Sequence, residues 1–256
     1  MPMHTETEAP EMPTRDAEWF AEWFDSPYYH LLYGHRSQAE ADALIEVLAP
    51  RLGLAAGAAV LDLACGKGRH ARALHRQGYR VLGVDLSPQS IAHARQYEAD
   101  GLHYEVADMR HLGYTHRFDA VLNLFTSFGY FSTLTDNLRV LAGVKASLKP
   151  GGRFVLDFMN ADQVAHTLVP QEVLLREGIR FDLRRRLIRG YVHKDIRFRD
   201  AGQSYHYQER VQLLTEPMLR NLLIRTGFTV LARWGDYSLS PFRTADSPRL
   251  IFLCQA

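Results

Sequence analysis

The stretch VLDLACGKGRHA, Val60–Ala71, constrains this chain more than any other. An apolar run enters a turn at Gly66 and Gly68 and leaves it as helix-forming sequence. There the backbone can bend tightly and a ligand can approach it closely, while the first N–H groups of the helix face a carboxylate or phosphate. Such a turn belongs at the carboxyl edge of a parallel sheet. The motif alone leaves the ligand open. Gly66-x-Gly68-x-x-Ala71 also satisfies the dinucleotide fingerprint, with Asp85 near the acidic position about 20 residues on.

The rest of the chain supplies the sheet. AAVLDLAC, YRVLGVDLS, LHYEVADM, FDAVLNLF and RFVLDFMN read as short apolar strands. Helical stretches separate most of them: GRHARALHRQG, then QSIAHARQYEAD opened by Ser87-Pro88, then LTDNLRVLAGVKASLKPGG. Strands alternating with helices predict a parallel sheet covered on both faces. Upstream, the leader 17–37 carries Trp19, Phe20, Trp23 and Phe24 on one helical stripe, Ser26-Pro27 starts a second helix, and a third runs from Gln38 to Ala49 before Pro50. Residues 1–16 read as a disordered polar tail. After Ala161 the period changes: FDLRRRLIRG, YVHKDIRFRD and SYHYQERVQLLT alternate as antiparallel strands of a small cap at 161–214. EPMLRNLLIRTG, FTVLARWG and RLIFLCQA return to the main domain, 38–160 and 215–256.

Composition narrows the function classes. The chain has 30 basic and 29 acidic residues, a net charge of +1, which gives no electrostatic reason for a nucleic-acid or membrane partner. Cys65 and Cys254 lie far apart without metal-like spacing, the N-terminus has no signal-peptide pattern, and no apolar run would span a bilayer. A cytoplasmic protein, monomeric or homodimeric, is expected.

Three further features separate the ligand readings. Asp62 puts a carboxylate inside a buried strand, Ala107-Asp108-Met109 ends the third strand, and Leu148-Lys149-Pro150-Gly151-Gly152 precedes the fifth. Together with the glycine turn they resemble the class I S-adenosylmethionine-dependent methyltransferases over about residues 38–160. The resemblance implies an α/β, Rossmann-like doubly wound fold: a mostly parallel seven-stranded sheet with helices on both faces, and the antiparallel cap inserted after strand five. It implies S-adenosylmethionine as cofactor and S-adenosylhomocysteine as product.

It also implies roles. Asp62, Ala64, Gly66 and Gly68 would hold the methionine part, Asp85 both ribose hydroxyls, and Asp108 the adenine amino group, with Met109 and Leu86 as apolar walls. Ala64 stands where the family most often has glycine. Helix N-capping is the plainer role for Asp85 and Asp108. Asn123 to Phe131, with Phe125, would lie beneath the transferring methyl, and is similar to the small-molecule N-methyltransferases that act on amino sugars and glycine. Asn123 and Asp157 are a poor ligand set for a hard cation, so no metal is expected. The leader would fold over the cofactor as a lid, with Tyr28 and Tyr33 near the sulfonium and Arg36 on the methionine carboxylate; simple packing of its aromatic face is the alternative. Tyr33 and His206 are the catalytic candidates, His206 as a base beside Tyr205 and Tyr207. Tyr237 and Arg243 are weaker pocket candidates. Arg184-Arg185-Arg186 reads as a solvated face, since alternate strand residues point opposite ways.

The expected function is methyl transfer to a nitrogen or oxygen of a small-molecule acceptor. The rivals are a methyltransferase acting on RNA or protein, a cofactor-binding protein without turnover, and an NAD-dependent dehydrogenase.

Overall fold

The computed structural model describes residues 18–34 and 36–256. The tail 1–16, and residues 17 and 35 of the leader, lie outside the described residues. The leader forms helices α1 (Trp19–Phe24) and α2 (Pro27–Leu32), the second capped by Ser26, whose Oγ accepts from the Tyr28 N–H at 3.2 Å. Helix α3 (Gln38–Leu52) starts with a reciprocal Ser37–Glu40 capping box. It runs past Pro50, where the sequence predicts a stop. A proline in the last turn forfeits a single backbone bond, and the extra turn buries Leu52 before Gly53 closes the helix at φ 63°.

Then follow β1 (Ala59–Leu63), α4 (Arg69–Arg76), β2 (Arg80–Asp85), α5 (Pro88–Ala94), β3 (Leu102–Val106), β4 (Phe118–Asn123), α6 (Leu134–Ser147) and β5 (Leu148–Met159). Helix α7 (Ala161–Thr167) leads into β6 (Gln171–Arg176), β7 (Ile179–Ile188), β8 (Tyr191–Asp200) and β9 (Gln203–Gln212). The chain ends with α8 (Glu216–Arg225), β10 (Thr229–Trp234) and β11 (Arg249–Gln255).

The main sheet has seven strands in the order β10-β11-β5-β4-β1-β2-β3, parallel except for β11, which runs against both its neighbours. This is the doubly wound sheet expected. Its strand order reverses between β1 and β4, and at such a switch point the carboxyl ends of two neighbouring strands open a crevice. The central strands are buried on both faces, hence their continuous apolar runs.

The second sheet is antiparallel, β6-β7-β8-β9. It contains a strand the sequence reading missed, QEVLLR. Val173 and Leu175 of β6 are exposed, so its apolar positions do not mark a buried face. The inner face carries Phe181, Leu183, Ile196 and Phe198, which form a core with Trp23 and Leu32 of the leader. Burial of each such side chain contributes roughly 1.5–3 kcal/mol. The leader is therefore fixed to the inserted sheet rather than only to the main domain. Arg184 and Arg186 point outward, while Arg185 faces inward.

Candidate functional site

At the switch point the turn after β1 is built from left-handed backbone. Ala64, Gly66 and Gly68 have φ of 59°, 54° and 75°. A side chain added at Gly66 would meet nothing within 4 Å, so its backbone is open to a ligand. Gly68 plays another part. An added Cβ would sit 2.6 Å from the Tyr104 ring, so this glycine lets α4 start against β3 rather than lining the cavity.

Above the turn lies a cavity of about 260 Å³. Of the residues singled out in the sequence, Tyr33, Arg36, Asp62, Ala64, Gly66, Asp85, Leu86, Asp108, Met109 and Phe125 line it. Asp85 accepts from the Gly66 N–H at 2.8 Å and the Ser87 N–H at 2.9 Å. Burial pushes its carboxyl up, and these two bonds oppose the shift. Each oxygen keeps a lone pair for a further donor. Asp62 is 1% exposed, and its Oδ2 has no partner. Burial pushes this carboxyl up to about 7. His70, also on the cavity wall, keeps an unpartnered Nε2 and is driven down to about 3 by burial and by Arg69. The wall thus holds a carboxyl oxygen and an imidazole nitrogen that lack hydrogen-bond partners. Asp108 caps the short 3₁₀ turn at Met109–His111 and also takes a fork of bonds from Arg110. Burial pushes its carboxyl up, but the Arg110 bonds outweigh this and hold it below the usual range.

The far wall is the strained end of β4. Phe125 and Thr126 both have positive φ, 61° and 62°, a costly conformation for side-chain-bearing residues. Asp157 on β5 holds them there: its Oδ2 accepts from the Phe125 N–H at 2.8 Å, and its backbone oxygen from Thr126. Arg249 and Tyr237 donate to the same carboxylate at 2.8 and 3.0 Å. The Phe125 ring stacks on Tyr237 and is flanked by the guanidinium groups of Arg36 and Arg69, 5.0 and 5.3 Å from its centre.

A second cavity, about 560 Å³, lies between this wall and the inserted sheet. Phe24, Tyr29, Tyr33, Arg36, Phe125, Ser127 and Tyr130 line both cavities and form the junction. Tyr33 Oη donates to Glu209 Oε1 at 2.7 Å and accepts from Lys194 Nζ. Trp23 Nε1 donates to the same Glu209 oxygen at 2.7 Å. Burial and the Glu209 charge raise the Tyr33 hydroxyl well above its ordinary value, so it is held as a neutral phenol.

Several expected residues lie elsewhere. Tyr28 turns away from both cavities: its ring packs on Phe198 and Tyr205, and its hydroxyl donates to Asp200 at 2.9 Å. One helical step along, Tyr29 takes the cavity position. His206 points outward from the inserted sheet to Asp195, 3.0 Å away, because its strand position alternates with the inward Tyr205 and Tyr207. Asn123 is buried behind the wall, with Nδ2 donating to the backbone oxygens of Leu63 and Ser127. Tyr237 supports Phe125 from behind, and Arg243 pairs with Asp246 at the surface. The sequence reading missed Tyr29, Arg69, His70, Lys194 and Glu209. Arg69 and His70 sit within the glycine motif itself, whereas no local signal marks Lys194 or Glu209.

A family model described as a methyltransferase domain matches residues 60–152. A glycine/sarcosine N-methyltransferase from Parasynechococcus marenigrum is 30% identical over 224 residues, which cover 79% of this chain and 72% of that protein. A dTDP-3-amino-3,4,6-trideoxy-alpha-D-glucopyranose N,N-dimethyltransferase from Streptomyces venezuelae is 29% identical over 59% of this chain and 64% of its own. The chain spans 64%, 55% and 46% of the length of three curated relatives it matches. A solved S-adenosylmethionine-dependent methyltransferase from Clostridium acetobutylicum shares the fold, with a TM-score of 0.76 at 19% identity over 89% of this chain and 95% of that one.

Proposed function

The chain belongs to the class I S-adenosylmethionine-dependent methyltransferases, and from that premise we propose that it transfers a methyl group to a nitrogen or oxygen of a small molecule. The observation that carries the reading is the pair of joined cavities. One has the unpartnered Asp62 Oδ2 and the open Gly66 backbone, and the other lies between the strained Phe125-Thr126 wall and the inserted sheet.

The first cavity fits the cofactor. Asp62 would accept from its ammonium group, Arg36 would pair with its carboxylate beside Arg69, and Asp85 would accept from the ribose hydroxyls. Asp108 and Met109 would take the adenine, Asp108 with whatever acceptor capacity Arg110 leaves. When bound, the cofactor supplies an electrophilic methyl on a cationic sulfur. The rings of Tyr29 and Tyr130 would then exclude water at the junction and present π faces and phenol oxygens to positive charge, with Phe125, stacked on Tyr237 and flanked by Arg36 and Arg69, closing the wall. Holding the acceptor in line through the junction is the main task left to the protein. Burial pushes the Tyr29 hydroxyl up to about 12, so this residue too acts as a neutral phenol rather than as a base.

An acceptor that fills the second cavity is a small molecule by size. The glycine/sarcosine and amino-sugar N-methyltransferases among the relatives favour an amine. The test is transfer of labelled methyl from S-adenosylmethionine to a panel of small amines and alcohols. Label should enter a small molecule, and Asp85→Ala should lower the rate about 100-fold through the loss of two charge-assisted bonds. Label entering only RNA or protein would contradict the small-molecule reading.

A further inference from the structure

The inner face of the inserted sheet carries a band of charge that the cofactor site does not use. Across the strands it reads Glu172 on β6, Arg185 on β7, Lys194 on β8 and Glu209 on β9, all lining the second cavity. Arg185 and Lys194 are direct cross-strand partners. Such partners stand roughly 5 Å apart at Cβ, and like charges there destabilise a sheet. Each cation does have a carboxylate. Arg185 Nη2 donates to Glu172 Oε2 at 2.6 Å, and Lys194 lies 3.5 Å from Glu209 Oε2. A band built only for stability would alternate its signs. Here the acids stand on the outside and the two cations face each other in the middle.

Lys194 is only 8% exposed, in a cavity whose other walls include Val164, Leu168, Val192 and Val211. Burying an ammonium group beside a guanidinium is costly unless something compensates both. Donors remain for that purpose. Lys194 spends two of its three N–H groups on Tyr33 and Glu209, and Arg185 spends two of its five on Glu172 and the Val169 oxygen. The other two cations of this cavity are accounted for: Arg249 donates to Asp157 and Thr126, and Arg36, over the rings of Tyr33 and Phe125, also lines the first cavity, where it is assigned to the cofactor's carboxylate.

We propose that Arg185 and Lys194 form an anion subsite, so that the methyl acceptor carries a carboxylate or phosphate group in addition to the atom that is methylated. This rests on the second cavity being the acceptor site. The anionic group would lie against the inserted sheet, with the nucleophile toward Phe125 and Tyr130 at the junction. Burial and the Arg185 charge depress the Lys194 ammonium while Glu209 supports it, as expected of a cation waiting for a second counter-charge.

The test is calorimetric titration of the protein saturated with S-adenosylhomocysteine, using inorganic phosphate and acetate as separate probes at millimolar concentration. One of them should bind at a single site, phosphate if the acceptor is phosphorylated and acetate if it is a carboxylic acid. Arg185→Gln should weaken that binding by about tenfold, the loss of a charge-assisted bond, with S-adenosylhomocysteine affinity unchanged. Lys194→Gln is the second variant should the first fail to fold. Binding of S-adenosylhomocysteine without either anion, or anion affinity unaltered by the substitutions, would overturn the subsite and leave the cofactor reading standing. No binding of S-adenosylhomocysteine would instead remove the reading on which it rests.

Discussion

Asp62 carries the sharpest expectation for a single residue. Its carboxyl, raised by burial to about 7, keeps a proton in the folded apoprotein that the unfolded chain gives up in the ordinary carboxylate range. The folded state therefore binds the extra proton between about 4 and 7, and stability falls as pH rises through that window. Asp62→Asn should remove this dependence, which melting curves at pH 5 and pH 8 would show. Pairing with the cofactor's ammonium would ionise the carboxylate. S-adenosylhomocysteine binding at pH 6 should then release close to one proton, read from calorimetry in buffers of different ionisation enthalpy; no release would remove Asp62 from the ammonium site. Ala64 gives the second expectation. Its φ of 59° lies in the left-handed region that favours glycine, so the alanine there is held in a strained backbone conformation. Ala64→Gly should stabilise the protein by about 1 kcal/mol, seen as a higher urea midpoint.

Among the elements, α4 and the leader helices matter most. Gly68 starts α4 at φ 75° with no room for a Cβ beside Tyr104. Gly68→Ala combines backbone strain with overpacking and should cost about 2–4 kcal/mol in a urea titration. The leader is fastened to the inserted sheet where Trp23 and Tyr33 meet Glu209. Trp23→Phe keeps most of the packing and removes one bond worth about 1 kcal/mol, so S-adenosylhomocysteine should dissociate about fivefold faster in a surface-binding assay if the leader closes over it. This level also shows where sequence reading succeeds and stops. Period and punctuation marked the strand-helix alternation and the glycine turn, because those signals are local. The choice of Tyr29 over Tyr28 depends on how α2 rotates against β8 and β9, which no local pattern records. His206 was lost to strand alternation, whose phase is set by which face of the inserted sheet meets the leader. Glu209 and Lys194 are polar residues on strands in a charged stretch, and become site residues only when β8 and β9 are paired and placed over β4.

For the whole molecule, the doubly wound sheet supplies a crevice at its switch point, and the leader and inserted sheet divide what lies above it into two joined cavities. Cofactor and acceptor would enter different cavities and meet at rings contributed by the leader and the end of β4. Among the described residues, no helix is long and apolar enough to cross a membrane. The same glycine turn followed by an acid also serves dinucleotides, so the activity turns on which nucleoside the first cavity takes. Calorimetric titration with S-adenosylhomocysteine, with NAD as the comparison ligand, separates the two. Saturable one-to-one binding of S-adenosylhomocysteine is expected, with no heat from NAD; binding of NAD without S-adenosylhomocysteine would make the first cavity a dinucleotide site instead.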